Sequence, residues 1–75
     1  MVRITSIVPN TDYTIRVDLD NGKSGILDVS GYIHQGVFVE LQNIEYFKQV
    51  KNYGRYIAWT NEQDLCADSI AASLK

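Results

Sequence analysis

The chain has 75 residues, 45% of them apolar and 21% charged, with 7 basic against 9 acidic side chains and a net charge of −2. A domain this short hides only about 60–65% of the surface its unfolded chain exposes, and its core leaves roughly 3–5 kcal/mol of stability without covalent staples. These figures predict one folded domain over residues 1–75, exclude barrel and dinucleotide-sheet enzyme folds, and weigh against a dedicated duplex-binding role, which needs a basic excess.

Residues Val2–Val8 are rich in β-branched side chains and end at Pro9, which removes a ladder donor. They predict a first strand with Val2, Ile4 and Val8 on one face and Ser6 between them. Asn10-Thr11-Asp12 reads as a turn. Tyr13–Asp20 then alternates strictly, with Tyr13, Ile15, Val17 and Leu19 on one face and Thr14, Arg16, Asp18 and Asp20 on the other. That is the pattern of a half-buried antiparallel strand.

Asn21-Gly22 follows directly. A type I′ turn favours these residues because both central positions need positive φ, so a hairpin into Ser24–Val29 is predicted. A strict two-residue turn pairs Asp20 with Lys23 and Val17 with Ile26. It buries Ile26 beside Ser24 and Asp28 and sends Leu27 outward; a bulge or longer loop reverses every side chain.

Gly31 and Gly36 frame a loop containing Tyr32, Ile33 and His34, and Val37–Leu41 has no clear period. Asn43 suits an N-cap, with Glu45 in the first turn. Leu41, Ile44 and Phe47 recur at helical spacing and predict a turn or two of helix. Val50–Tyr53 and Arg55–Thr60 flank Gly54 as a second hairpin, with Ile57 and Trp59 on one face beside the stem of Arg55. Trp59 has the size to anchor a small core. Asn61-Glu62-Gln63-Asp64 reads as a polar loop. Asp68 is expected to cap a final helix that carries Ile70, Ala71 and Leu74 on one side. The expected fold is α+β: a small antiparallel meander of about five strands, a short helix between strands 3 and 4, and a C-terminal helix.

The single cysteine, Cys66, cannot form an internal disulfide. The start Met1-Val2-Arg3-Ile4-Thr5 has no signal-peptide pattern and no apolar run reaches membrane-spanning length. The expected setting is the cytoplasm, with no membrane association and no lipid anchor.

Residues capable of chemistry are sparse. His34 is the only histidine and has Cys66 as its only thiol partner, short of the three-member sets of nucleophilic or zinc sites. Cys66 reads as a small buried apolar residue. Asp18-Leu19-Asp20-Asn21-Gly22 resembles the opening of a calcium loop, but Gly22 stands where an oxygen ligand belongs, and no glutamate closes the loop. Asp20, Asn21 and Gly22 are better explained as a structural turn, and Asp28 as an acceptor for the following loop. A remote alternative pairs Asp28 with His34 as a small hydrolase or nuclease. No catalytic residue, metal site or cofactor is expected.

Lys48, Lys51 and Arg55 gather with Tyr46, Tyr53 and Tyr56 around the second hairpin. Cations interleaved with aromatics can hold single-stranded nucleic acid. Tyrosine and arginine are equally favoured at the centres of protein interfaces.

The order of motifs resembles a known family. Asp20-Asn21-Gly22 leads to Leu27-Asp28. Gly36-Val37-Phe38 follows, with Leu41 three residues on and Phe47 six after that. Ile57-Ala58-Trp59-Thr60-Asn61, Asp64-Leu65 and Asp68 close the chain. This is similar to the small bacterial domain-of-unknown-function family DUF 2442, over nearly the whole length. Thr60 stands where that family commonly has proline, and Ser69-Ile70 also departs from its pattern. The resemblance implies a compact α+β fold with no assigned catalytic residues. It also implies a gene often set beside another small family, DUF 4160, in a toxin–antitoxin-like arrangement. Some members add a helix-turn-helix segment, which is not expected here. The expected function is a non-enzymatic protein-interaction module whose partner is itself or a neighbouring gene product. The alternative is a nucleic-acid-binding regulator using the second hairpin.

Overall fold

Strand β1 (Ile4–Pro9), strand β2 (Thr14–Leu19) and strand β3 (Ser24–Asp28) form an antiparallel sheet in the order β1-β2-β3. The structure is a computed structural model describing residues 2–61 and 63–75. Alternation in β2 works as its sequence implies: Ile15, Val17 and Leu19 are buried and Arg16 is exposed.

The β2–β3 register departs from the strict two-residue turn. Val17 pairs with Gly25, Arg16 with Ile26 and Ile15 with Leu27. Leu27 is therefore 2% exposed, and Ile26 stands outside at 38%. The cause is the turn. Gly22 has φ +85° while Asn21 does not enter the left-handed region, and type I′ needs both. Asn21 instead accepts the Lys23 N–H on its side chain at 3.0 Å. Leu19 N–H donates to Lys23 O at 2.8 Å, closing a three-residue loop with a glycine bulge. The extra residue slips the register and inverts β3. Asp20 stays structural: its carboxylate accepts the Arg3 N–H at 3.1 Å.

A second irregularity corrects β1. Pairing shifts between Ile4 and Ser6, so the two halves of the strand present opposite alternate residues to the core. Ile4 is buried, Ile7 is half-buried, and Val8 is 52% exposed. Beyond Pro9 the chain turns as expected, with Asp12 accepting from the Thr14 N–H and hydroxyl. Tyr13 adopts φ +64°, rare for an aromatic residue. Its hydroxyl donates to Gln42 O, and its ring meets Phe47 edge-on at 5.5 Å.

A 3₁₀ helix spans Gly36–Gln42, and α1 (Ile44–Phe47) follows. Asn43 caps α1 by accepting the Glu45 N–H at 3.1 Å. Then come β4 (Lys51–Asn52), β5 (Tyr56–Ala58), β6 (Asp64–Cys66) and α2 (Ala67–Ser73). Among the described residues there are six strands in two three-stranded sheets, the second in the order β4-β5-β6. The expected five-strand meander is thus divided. The sheets meet where Ile4 N–H donates to Gly54 O and Asn52 Nδ2 donates to Ile4 O.

Three further expectations change. Asp64 opens β6 and Gln63 is fully buried, where the composition reads as polar loop; Glu62 lies outside the described residues. Asp68 sits in the first turn of α2, whose N-cap is Cys66. Cys66 itself is exposed rather than buried. The inward side of α2 is as expected, with Ile70 buried and Ala71 and Leu74 half-buried.

The core joins both sheets to the helical connection through Ile15, Val17, Leu27, Leu41, Phe47, Ile57, Trp59 and Ile70. Trp59 anchors it as expected. Its indole N–H donates to Phe47 O at 2.8 Å, so the buried polar atom is satisfied.

Candidate functional site

The second hairpin turns at Gly54, which has φ +86°. Tyr53 N–H donates to Tyr56 O at 2.9 Å, and Asn52 Oδ1 accepts the Gly54 N–H at 2.8 Å. A two-residue turn with glycine first sets Tyr53 directly opposite Tyr56. Side chains opposite each other share a face, and these rings stack with centroids 4.9 Å apart and planes 14° apart. They remain 55% and 41% exposed.

Pairing defines the rest of that face. Lys51 opposes Ala58, Ala58 opposes Asp64, and Tyr56 opposes Cys66. Ile57, one residue away, points inward and is buried. The outward face of the second sheet therefore carries one row of Tyr53, Tyr56 and Cys66 and another of Lys51, Ala58 and Asp64. A cleft of about 270 Å³ along it is lined by Gln49, Lys51, Tyr53, Ala58, Trp59 and Thr60. Arg55 is exposed at the hairpin tip, where its carbonyl accepts the Ala67 N–H at 2.7 Å and ties the turn to α2. Lys48 is exposed at the end of α1.

Tyr46 does not belong to this surface. It is half-buried; its hydroxyl donates to Gln63 Oε1 at 2.7 Å and accepts the Asn61 N–H at 2.8 Å. Gln63 Nε2 in turn donates to Val37 O at 2.7 Å and to Glu40 Oε1 at 3.2 Å. Glu40 also accepts from Asn61 Nδ2 at 2.7 Å. This network holds the 3₁₀ helix against the second sheet. Its centre, Gln63, lies in a polar tetrapeptide whose composition masks its burial.

The remaining reactive groups make local contacts. Asp28 Oδ1 accepts the Ser30 hydroxyl at 2.6 Å and the Ser30 N–H at 2.9 Å. The Ser30 hydroxyl first, and its N–H second, hold the Asp28 carboxyl below its usual range. His34 is exposed with Nδ1 3.4 Å from Gln42 Nε2. Asp28 and His34 thus bond different partners, and no hydrogen bond joins them among the described residues. Cys66 Sγ lies 3.1 Å from Ser69 Oγ, and this hydroxyl, then the Ser69 N–H, lower the thiol's pKa. No group of three or more His, Cys, Asp or Glu side chains is placed to hold a metal ion among the described residues. No helix among them is long and apolar enough to cross a membrane.

The family model described as "Protein of unknown function (DUF2442)" matches residues 4–75. No curated protein and no solved structure matches the chain.

Proposed function

The chain belongs to the DUF2442 family, and we propose that it acts as a non-enzymatic protein-interaction module through the outward face of its second sheet. The observation that carries this reading is the stacked, solvent-facing pair Tyr53–Tyr56. Two rings ordered against each other have already lost much of their rotamer freedom, so a partner gains their area at low entropic cost. Arg55 at the tip and the cleft beside Lys51 add a cation and a recess. Aromatic and arginine anchors of this kind dominate interface energetics.

The same face favours a protein over nucleic acid. Asp64 shares the row of Lys51, with Ala58 between them. A phosphate backbone would meet that carboxylate, whereas a protein surface can match a mixed pair. The partner we propose, from the gene pairing that the family resemblance implies, is a small protein encoded by the adjacent gene.

Co-expression of the tagged chain with that product tests the reading. A complex is expected to co-purify, to survive nuclease, and to be lost with Tyr53→Ala/Tyr56→Ala. Retention that disappears on nuclease treatment or moderate salt, and that depends on Lys48, Lys51 and Arg55, would establish nucleic-acid binding instead.

A further inference from the structure

We infer that Leu74–Lys75 is a displaceable cap on the edge of β3, and that the edge beneath it pairs with β3 of a second copy of this chain. This contact lies on the first sheet and does not rest on the role proposed for the tyrosine face. After α2 the backbone is extended, with Leu74 at φ −66° and ψ 142°. Ile26 N–H donates to Lys75 O at 3.0 Å, and Lys75 N–H donates to Ile26 O at 3.1 Å. Two opposed residues exchanging both bonds make the narrow pair of an antiparallel ladder. Gly25 admits this approach, since a Cβ there would meet Lys75 O at 3.0 Å and Leu74 Cβ at 3.1 Å.

The uncovered edge is self-complementary. Leu19 N–H bonds Lys23 O, and Val29 N–H bonds Tyr13 O. Alternation between these bonds turns the main-chain groups of Ser24, Ile26 and Asp28 away from β2. A twofold axis through Ile26 would pair Ile26 with its own copy and set Ser24 opposite Asp28 at both ends. Both bonds from Ser30 go to Asp28 Oδ1, which leaves Oδ2 to accept from the opposing Ser24. The side chain of Ile26, 38% exposed, would be covered by its symmetry mate. The other edge of this sheet is a poorer template. Ile4 already bonds Gly54 and Asn52, and Pro9 has no N–H. Among the described residues the cap exchanges bonds at the Ile26–Lys75 pair, whereas the two-copy ladder would exchange them at three pairs.

Sedimentation across a concentration series tests this on the full chain, on a variant lacking Leu74–Lys75, and on the full-length Gly25→Ala. Circular dichroism confirms folding. Gly25→Ala crowds Leu74–Lys75, hydrogen exchange at the Ile26 amide shows whether it has freed the edge, and a Gly25→Ala chain with that amide unprotected decides the question if the truncated chain unfolds. The full chain is expected to be monomeric where the uncapped forms dimerise, with self-association strengthened by about tenfold or more. Ile26→Pro in the uncapped background removes the central donor and is expected to abolish the dimer. Folded uncapped variants that associate no more than the full chain, or dimers indifferent to Ile26→Pro, would overturn the inference.

Discussion

Gln63→Met keeps most of the side chain's volume and removes all its hydrogen bonding, so it isolates the polar network from any cavity effect. Gln63 is fully buried, accepts from the Tyr46 hydroxyl, and donates to Val37 O and Glu40 Oε1. Each such bond contributes about 1 kcal/mol net, and an orphaned buried partner costs more. The Glu40 contact is the longest and lies on an exposed residue, so the expected loss is about 2–3 kcal/mol. In a domain of this size that corresponds to a fall in Tm of about 10–20 °C, a large part of the total stability. Urea denaturation reads the loss as a lower midpoint at unchanged slope. Gln63→Glu sharpens the test by replacing the donor amide with an oxygen facing Val37 O and Glu40. It is expected to be less stable than Gln63→Met at neutral pH and to recover as acid protonates the pair. A Gln63→Met protein within about 0.5 kcal/mol of the parent, the range of ordinary surface changes, would refute the reasoning.

Asp28 and Cys66 give two pH-dependent expectations. The Asp28 carboxyl is lowered in the folded state, chiefly by the Ser30 hydroxyl. Its contribution is therefore present above the unfolded aspartate value of about 3.9 and fades as pH falls through the folded value. Thermal melts of the parent and Asp28→Asn should differ at neutral pH and converge in acid; a difference constant with pH would contradict this. For Cys66, alkylation by iodoacetamide should follow a pKa lowered from the ordinary thiol value, because Ser69 stabilises the thiolate. Ser69→Ala should raise that pKa and slow the reaction at neutral pH; an unchanged rate profile would remove Ser69 as the cause.

Periodicity identified what depends on neighbours in sequence. The alternation of β2, the Asn43 cap, Trp59 in the core and the inward side of α2 all follow from local spacing and chemistry. Register was harder to read, because one residue decides it. Asn-Gly suits a two-residue turn, yet the Asn21 side chain found the Lys23 N–H, and the glycine bulge inverted β3. The bulge between Ile4 and Ser6 reversed the rest of β1 in the same way. The division into two sheets had no local signal, since it depends on where Gly36–Phe47 carries the chain. At the candidate surface, the tyrosines, Lys51 and Arg55 were legible from composition. Tyr46 was misplaced because its hydroxyl partner, Gln63, lies 17 residues away in sequence. Asp64 was missed because β6 was not expected, and it is the residue that gives the face its mixed charge.

The most direct test of the interaction-module account is the affinity for the adjacent-gene product, measured by titration calorimetry with the parent chain and with Tyr53→Ala/Tyr56→Ala. A central aromatic anchor contributes about 2 kcal/mol or more to an interface, so the account predicts at least about a 30-fold loss of affinity with the fold intact. Equal affinity of the two proteins, or no binding by the folded parent chain, would contradict it.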